Sequence, residues 1–326
     1  MARTNTILLH QQRGVALITA ILIVSIVATI TAFLSLDQQV WLRQVQNITD
    51  KAQSDVVSDS VLNWITILLT EDAKLTKTDH LQEEWAQQFP PIPVEEGAVT
   101  GKIEDAQSRF NLNNLVKKDG SVSTGDAAMF RRLLAAQTLD ENLVDRVIDW
   151  IDSNTQRSPY GAEDSEYLGL QPAYRVANRS FASKQELRLI MGFNRQTIDK
   201  ISEFVTVLPG RTSININTAS AEVLSAMFAA LSLSDAQQII SKRKDKPFEN
   251  KNDLMQQQVV QGQSAPTVAY DVKTEYFDIH LETQYGRLYR RKQALIYRPG
   301  NGNSTIVWRN QKALVISIGN DEEEDA

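Results

Sequence analysis

Cysteine is absent from the 326 residues, so no disulfide staples this fold and no thiolate set holds zinc. Histidine is scarce: His10, His80 and His280 lie far apart along the chain. No HExxH, GxSxG or Walker loop occurs, which removes the enzyme classes those motifs mark. Positive charge is in deficit, with 34 basic against 40 acidic residues and a formal charge of −6, a poor default for a nucleic-acid binder. Proline and glycine are missing from residues 15–89, so nothing there breaks a helix. Charge is missing from the 22 residues of Val15–Leu36, VALITAILIVSIVATITAFLSL. As a helix this run measures roughly 33 Å, about the depth of a bilayer core.

What is present at the amino terminus is short and basic. Arg3 and Arg13 precede the apolar run and Asp37 is the first charge after it. By the positive-inside rule the amino terminus is cytoplasmic and the bulk of the chain lies outside the inner membrane, a single pass with a periplasmic body. The run exceeds the core of a secretory signal peptide, and no Ala-x-Ala site closes it. The segment QQRGVALITAILIVSI resembles the prepilin signature, in which a dedicated peptidase cuts after glycine and leaves the apolar helix attached. That resemblance places cleavage between Gly14 and Val15. Loss of leader residues 1–14 removes two arginines and takes the formal charge from −6 to −8. A plain membrane anchor and a signal peptide are the alternatives.

Beyond Leu36 the pattern turns amphipathic. Trp41, Val45, Ile48 and Ala52, then Val57, Val61, Trp64, Ile65 and Leu68, follow helical spacing, with polar residues between them. One helix from Val15 to about Leu69 is expected: residues 15–36 cross the membrane and the outer part packs its stripe on a soluble body. Thr19 is the fifth residue after Gly14, where pilins resembling this start carry glutamate. A buried carboxylate is costly without a partner, so a subunit with nothing above it loses nothing by lacking one.

Pro90-Pro91-Ile92-Pro93 reads as a boundary. A strand is expected over Ala98–Ile103, helices dominate from about 124 to 260, and strands return at Tyr276–Thr283, Leu288–Tyr297 and Thr305–Val307. The assembly is an α+β, pilin-like fold with a long N-terminal helix and an antiparallel sheet. It is divided as 37–110 and 268–326, with a large all-α insertion at 111–267. Asp321–Asp325 reads as a solvated tail. Phe110-Asn-Leu-Asn-Asn-Leu and Ile214-Asn-Ile-Asn-Thr-Ala form a weak internal repeat, with Asn217 expected to cap the helix near Ala219. The segment after Ile214 is similar to a helix-hairpin-helix unit. Its hairpin, Leu231-Ser-Leu-Ser234, lacks the glycines that expose amides to phosphate. The cluster Lys242, Arg243, Lys244 and Lys246 is single. A membrane-anchored DNA-binding protein is therefore the second reading, and no nucleic-acid partner is expected on the first.

The sharpest chemistry is an oxygen-rich loop. Asp149, Asp152 and Asn154 stand on one side of it, and Glu163, Asp164 and Glu166 on the other, around Pro159 and Gly161. Asp152, Asn154 and Glu163 take relative positions 1, 3 and 12 of an EF-hand, but Arg157 occupies the position that needs glycine. Two readings remain open: a non-standard calcium loop, and a polar surface loop whose carboxylates cap helices or pair with Arg157, Arg175 and Arg179.

DWIDSN, GAEDSEY, PAYRVANRSFASKQELRLIMGF and ININTA, in this order behind a prepilin-type start, resemble the K minor pseudopilins of type II secretion systems. The resemblance covers essentially the whole chain. It implies a non-enzymatic subunit that initiates or caps a pseudopilus at its tip, with the I and J minor pseudopilins, other pseudopilins and a prepilin peptidase as partners. It also implies Ca2+ in the helical domain. Carried over residue by residue, the implied ligands are Asp152, Asn154, Glu163 and Asp164, with Asp149, Glu166 and Asn178 as further candidates.

Overall fold

The computed structural model describes residues 12–286, 288–300 and 302–314; leader residues 1–11 and the acidic end Asp321–Asp325 lie outside the described residues. Helix α1, Gln12–Leu75, is unbroken. It runs six residues past the expected end, because Glu71 and Lys74 keep the helical pattern and pair with each other at 2.6 Å. Every side chain from Gly14 to Thr49 is exposed, and none of the apolar window is buried inside the chain.

The outer half of α1 packs on a sheet. Its buried line is Ser54, Ser58, Leu62, Ile65 and Leu69; of the expected stripe Ile65 lies on it, Val61 and Leu68 flank it half-buried, and Trp64 stays outside. Small side chains let the helix lie close to the sheet, and Ser58 Oγ sits 2.8 Å from Thr283 Oγ1. Trp64 stays half exposed, edge-on to Phe89 at 5.4 Å. Burying each of Leu62, Ile65 and Leu69 contributes about 2 kcal/mol of transfer free energy.

Strand β1, Phe89–Val94, is built from the segment expected only as a boundary. Three prolines cannot donate to a ladder, so the strand lies at the sheet's edge, paired on one side with β2, Gly97–Asp105. The chain then leaves the sheet for the insertion. After it come β7, Tyr276–Tyr285, β8, Leu288–Tyr297, and β9, Thr305–Leu314, giving the antiparallel order β1-β2-β7-β8-β9. Phe277, Ile279 and Leu281 alternate inward from β7 and meet Ile103, Trp85 and the α1 leucines in one core.

Between β2 and β7 the insertion holds β3 (Phe110–Asn111), α2 (Thr124–Ala136), α3 (Leu143–Ile151), α4 (Asp164–Tyr167), α5 (Arg195–Ile201), β4 (Val205–Thr206), β5 (Ile214–Asn215), α6 (Ala221–Met227), α7 (Leu233–Asp245), α8 (Asn252–Met255) and β6 (Tyr270–Asp271). It is mainly helical but not wholly so: β3 pairs with β4, and β5 with β6, both in parallel. Its core is separate from that of the sheet.

The asparagine repeat is structural. Asn113 N–H donates to Asn111 Oδ1 at 3.1 Å, and Asn217 N–H to Asn215 Oδ1 at 2.9 Å. Asn217 does not cap α6; Ser220 does, accepting from Val223 N–H. The Asn217 amide is instead committed to Phe248, accepting from its N–H at 2.9 Å and donating to its carbonyl at 3.0 Å.

Candidate functional site: the acidic loop and the joint to the sheet

The acidic loop opens at the end of α3, where the amphipathic run LVDRVIDWI buries Val144, Val147, Ile148 and Ile151 and carries Asp149 inward with them. Asp149 accepts from Ser158 N–H through both oxygens, at 3.2 and 3.1 Å. Gly161 packs directly against it: a Cβ there would fall 1.8 Å from Asp149 Oδ2. Asp152 and Glu163 are 3 and 5 % exposed. Asp152 Oδ1, both Glu163 oxygens and Asn178 Oδ1 are shielded from solvent and have no hydrogen-bond partner among the described residues. Asn178 is placed by a left-handed turn (φ 45°) and by its N–H bond to Trp150 O at 3.1 Å.

Unpartnered buried carboxylates resist ionisation. Burial, then repulsion from Asp149, raises Asp152 to about 6. Burial, then Asp149, Asp152 and Asp164, raises Glu163 to about 7. No ion pair engages either residue among the described residues, and four buried oxygens there go without a donor.

The other expected donors have partners already. Asn154 is exposed and its Oδ1 accepts from Gln156 N–H at 2.7 Å. Asp164 accepts from Val176 N–H at 3.1 Å and from Arg175 at 3.2 Å. Glu166 accepts from Glu163 N–H at 2.9 Å and from Arg157 at 3.1 Å. The loop thus joins both open readings: Asp164 and Glu166 behave as surface carboxylates, while Asp152 and Glu163 do not.

A second acidic group lies at the joint between insertion and sheet, and sequence reasoning missed it. Among the described residues, one trio of carboxylates has oxygens within 4.8 Å of one another: Asp72, Asp79 and Glu83. Arg298 at the end of β8 already supplies its counter-charge, donating to Asp72 Oδ2 at 2.7 Å, to Asp79 Oδ1 and to Thr274 O at 2.9 Å. Asn215 donates to Asp79 O at 3.0 Å and to Asp105 Oδ2 at 2.8 Å, and Thr218 also donates to Asp105 Oδ2. This network pins the insertion where it enters and leaves the sheet. Nothing local marks these residues; partners more than a hundred positions apart leave no periodic signal.

The basic cluster also resolves. Arg243 is buried and spends its guanidinium on Ile216 O and Ala219 O, both at 2.6 Å. Lys242 and Lys244 beside it point to solvent.

Comparison with known proteins decides the family. The family model described as type II secretion system (T2SS), protein K, matches in two parts, residues 108–210 and 214–273. Type II secretion system protein K of Pseudomonas aeruginosa is 35 % identical over 300 residues, 87 % of each chain. That of Aeromonas hydrophila is 30 % identical over 322 residues, 92 % of this chain and 97 % of the relative. The chain belongs to the type II secretion system protein K family. A solved structure of the GspK-GspI-GspJ complex from the enterotoxigenic Escherichia coli type 2 secretion system matches with TM-score 0.75 at 22 % identity, covering 82 % of this chain and 99 % of that one, and so has the same fold. As a protein K family member the chain is a minor pseudopilin, a structural component of a secretion machine. Among the described residues one helix is long and apolar enough to cross a membrane, and it fits a single-pass anchor.

Proposed function

We propose that this minor pseudopilin initiates or caps the type II secretion pseudopilus at its tip, for protein export across the outer membrane. The observation that carries the reading is α1, whose apolar half is bare from Gly14 to Thr49 while its outer half is locked to the sheet. A bare apolar rod needs lipid or sister helices around it. Thr19 supports the terminal position. Its hydroxyl turns back to Val15 O and Ala16 O, both at 3.0 Å, and offers no charge to a neighbour's terminal amine.

On this reading a prepilin peptidase cuts between Gly14 and Val15. Arg3 and Arg13 hold the leader in the cytoplasm, the span sits in the inner membrane and the body is periplasmic. The partners are the I and J minor pseudopilins, in keeping with the complex whose fold this chain shares. The role is assembly, not catalysis.

Calcium belongs to the acidic loop on the same reading. Asp152, Glu163 and Asn178 offer the four unpartnered oxygens, with Asp149, Asn154 and Asp164 on the flanks. Hard oxygen donors, several of them anionic and in irregular array, suit Ca2+. When bound, the ion supplies the counter-charge that lets Asp152 and Glu163 ionise in place. The test of the whole is to co-express the full chain with its prepilin peptidase and the I and J subunits. A mature terminus at Val15 and co-purification of the three subunits are expected. A product that starts at Met1, or that has lost the helix, overturns the tip assignment.

A further inference from the structure

The insertion contains the same arrangement twice, beyond the asparagine pair. Asn113 treats Phe181 as Asn217 treats Phe248: Phe181 N–H donates to Asn113 Oδ1 at 2.8 Å, and Asn113 Nδ2 donates to Phe181 O at 3.1 Å. The residues after each phenylalanine match as well. Ala182 and Ser183 N–H donate to Glu186 Oε1, five positions past Phe181; Glu249 and Asn250 N–H donate to Asp253 Oδ2, five positions past Phe248. Leu187 and Leu254 then plug the core, both fully buried. Ala128-Met129-Phe130 in α2 and Ala226-Met227-Phe228 at the end of α6 match in sequence, and each copy ends in a strand parallel to its first.

The copies differ at one crossing. From Ile240 to Phe248 the second copy takes eight residues, braced by the Arg243 guanidinium. From Ile148 to Phe181 the first takes 33, and the excess is the acidic loop. Where the second copy has Arg243, the first has apolar Ile151 at the same distance past its paired aliphatic residues, and then Asp152.

They also differ in how they hold the sheet. The second copy reaches it directly, through Asn215 to Asp105 at the end of β2, and also holds Asp79 in the linker leaving α1. The first reaches it through its clamp. Asn113 Nδ2 also donates to Leu208 O at 3.0 Å, and Leu208 N–H donates to Asn111 Oδ1 at 3.1 Å. Leu208 packs with Ala106 and with Leu295 of β8, and Tyr276 Oη donates to Pro209 O at 3.4 Å.

We infer that the acidic loop is an extension grafted into one of two copies of a folding unit, and that divalent cation binding there sets how that copy sits on the sheet, through Phe181, Asn113 and Leu208. This rests on the reading of the loop as a calcium site. The unpartnered oxygens of Asp152, Glu163 and Asn178 gain a common partner when a cation arrives, and Asn178 stands three residues before Phe181. The second copy closes with its own arginine, so its clamp is indifferent to the ion.

The second copy is therefore an internal control. Hydrogen exchange is read at the Phe181, Leu208 and Phe248 amides of the full chain in detergent, with calcium and with a chelator, and calcium uptake is followed by calorimetry. Chelation is expected to speed exchange at Phe181 and Leu208 about ten-fold and leave Phe248 within about two-fold. Glu163→Gln in calcium reproduces the chelated pattern, while protection at Phe248 reports that the variant is folded. Calcium uptake with equal responses at Phe181 and Phe248, or with none at either, overturns the coupling and leaves the metal site standing. No uptake at all overturns the metal site, and the coupling with it.

Discussion

Arg298 and Asp79, 219 residues apart, form a buried ion pair that joins the end of β8 to the linker leaving α1; they are 6 and 2 % exposed. Burial raises Asp79 to about 7 against the pull of Arg298. Removing one member of a buried pair costs about 3–5 kcal/mol when the other stays charged. Arg298→Met is expected to lose about 3 kcal/mol at pH 8 and clearly less at pH 5, where Asp79 takes a proton. Denaturant melts at the two values check this, and an equal loss at both contradicts the assignment.

The same shift sets a pH slope in the unaltered protein. An acid raised in the folded state binds its proton there first, so its contribution is fullest below the unfolded value near 4 and is lost as pH climbs through about 7. Burial raises Asp105 and Asp72 in the same direction. Thermal stability of the chain in chelator is expected to fall as pH rises from about 4 to 7, and Asp79→Asn is expected to flatten part of that fall.

Calcium uptake carries the opposite sign. Asp152, raised to about 6, and Glu163, raised to about 7, must both ionise to hold a cation. Affinity is expected to weaken as pH drops through 7 and 6, with proton release on binding. Calorimetry in buffers of different ionisation enthalpy reads that release; a pH-independent affinity argues against these two carboxylates as ligands.

Gly161→Ala tests the loop sterically. The added methyl would meet the Asp149 carboxylate at 1.8 Å, backed by a buried helix. Calcium affinity is expected to fall at least about ten-fold, with the rest of the insertion intact, since strain at a tight backbone approach costs on the order of 1–3 kcal/mol. Wild-type affinity in this variant refutes the close approach.

Arg243 separates scaffold from nucleic-acid surface. Its burial pulls the guanidinium down to about 10, and it braces two carbonyls. Arg243→Ala is expected to destabilise the chain by about 2 kcal/mol or more, because two buried acceptors lose their donor. Lys242→Ala and Lys244→Ala are expected to stay within about 0.5 kcal/mol. Chemical denaturation ranks the three, and a large effect at either lysine contradicts the structural role given to Arg243.

The sequence shows best what is periodic or local. The long helix, the strands around Ile103 and Ile279 and the helical insertion follow from spacing alone, and Asp152 and Glu163 stood out as clustered acids. Three features escaped that reading for physical reasons. Pro90–Pro93 looks like a stop and serves as an edge. Asn217 looks like a cap because the residue types that cap helices also clamp loops, and only Phe248 in space tells the two apart. Arg298 looks like one more strand-end arginine, since Asp72 and Asp79 reach it only through the tertiary fold.

The prolines of β1 have a consequence for polymers. Pro90, Pro91 and Pro93 offer no amide hydrogen, so this margin of the sheet cannot zip onto a strand from another molecule. A minor pseudopilin is thereby barred from amyloid-like growth on that flank.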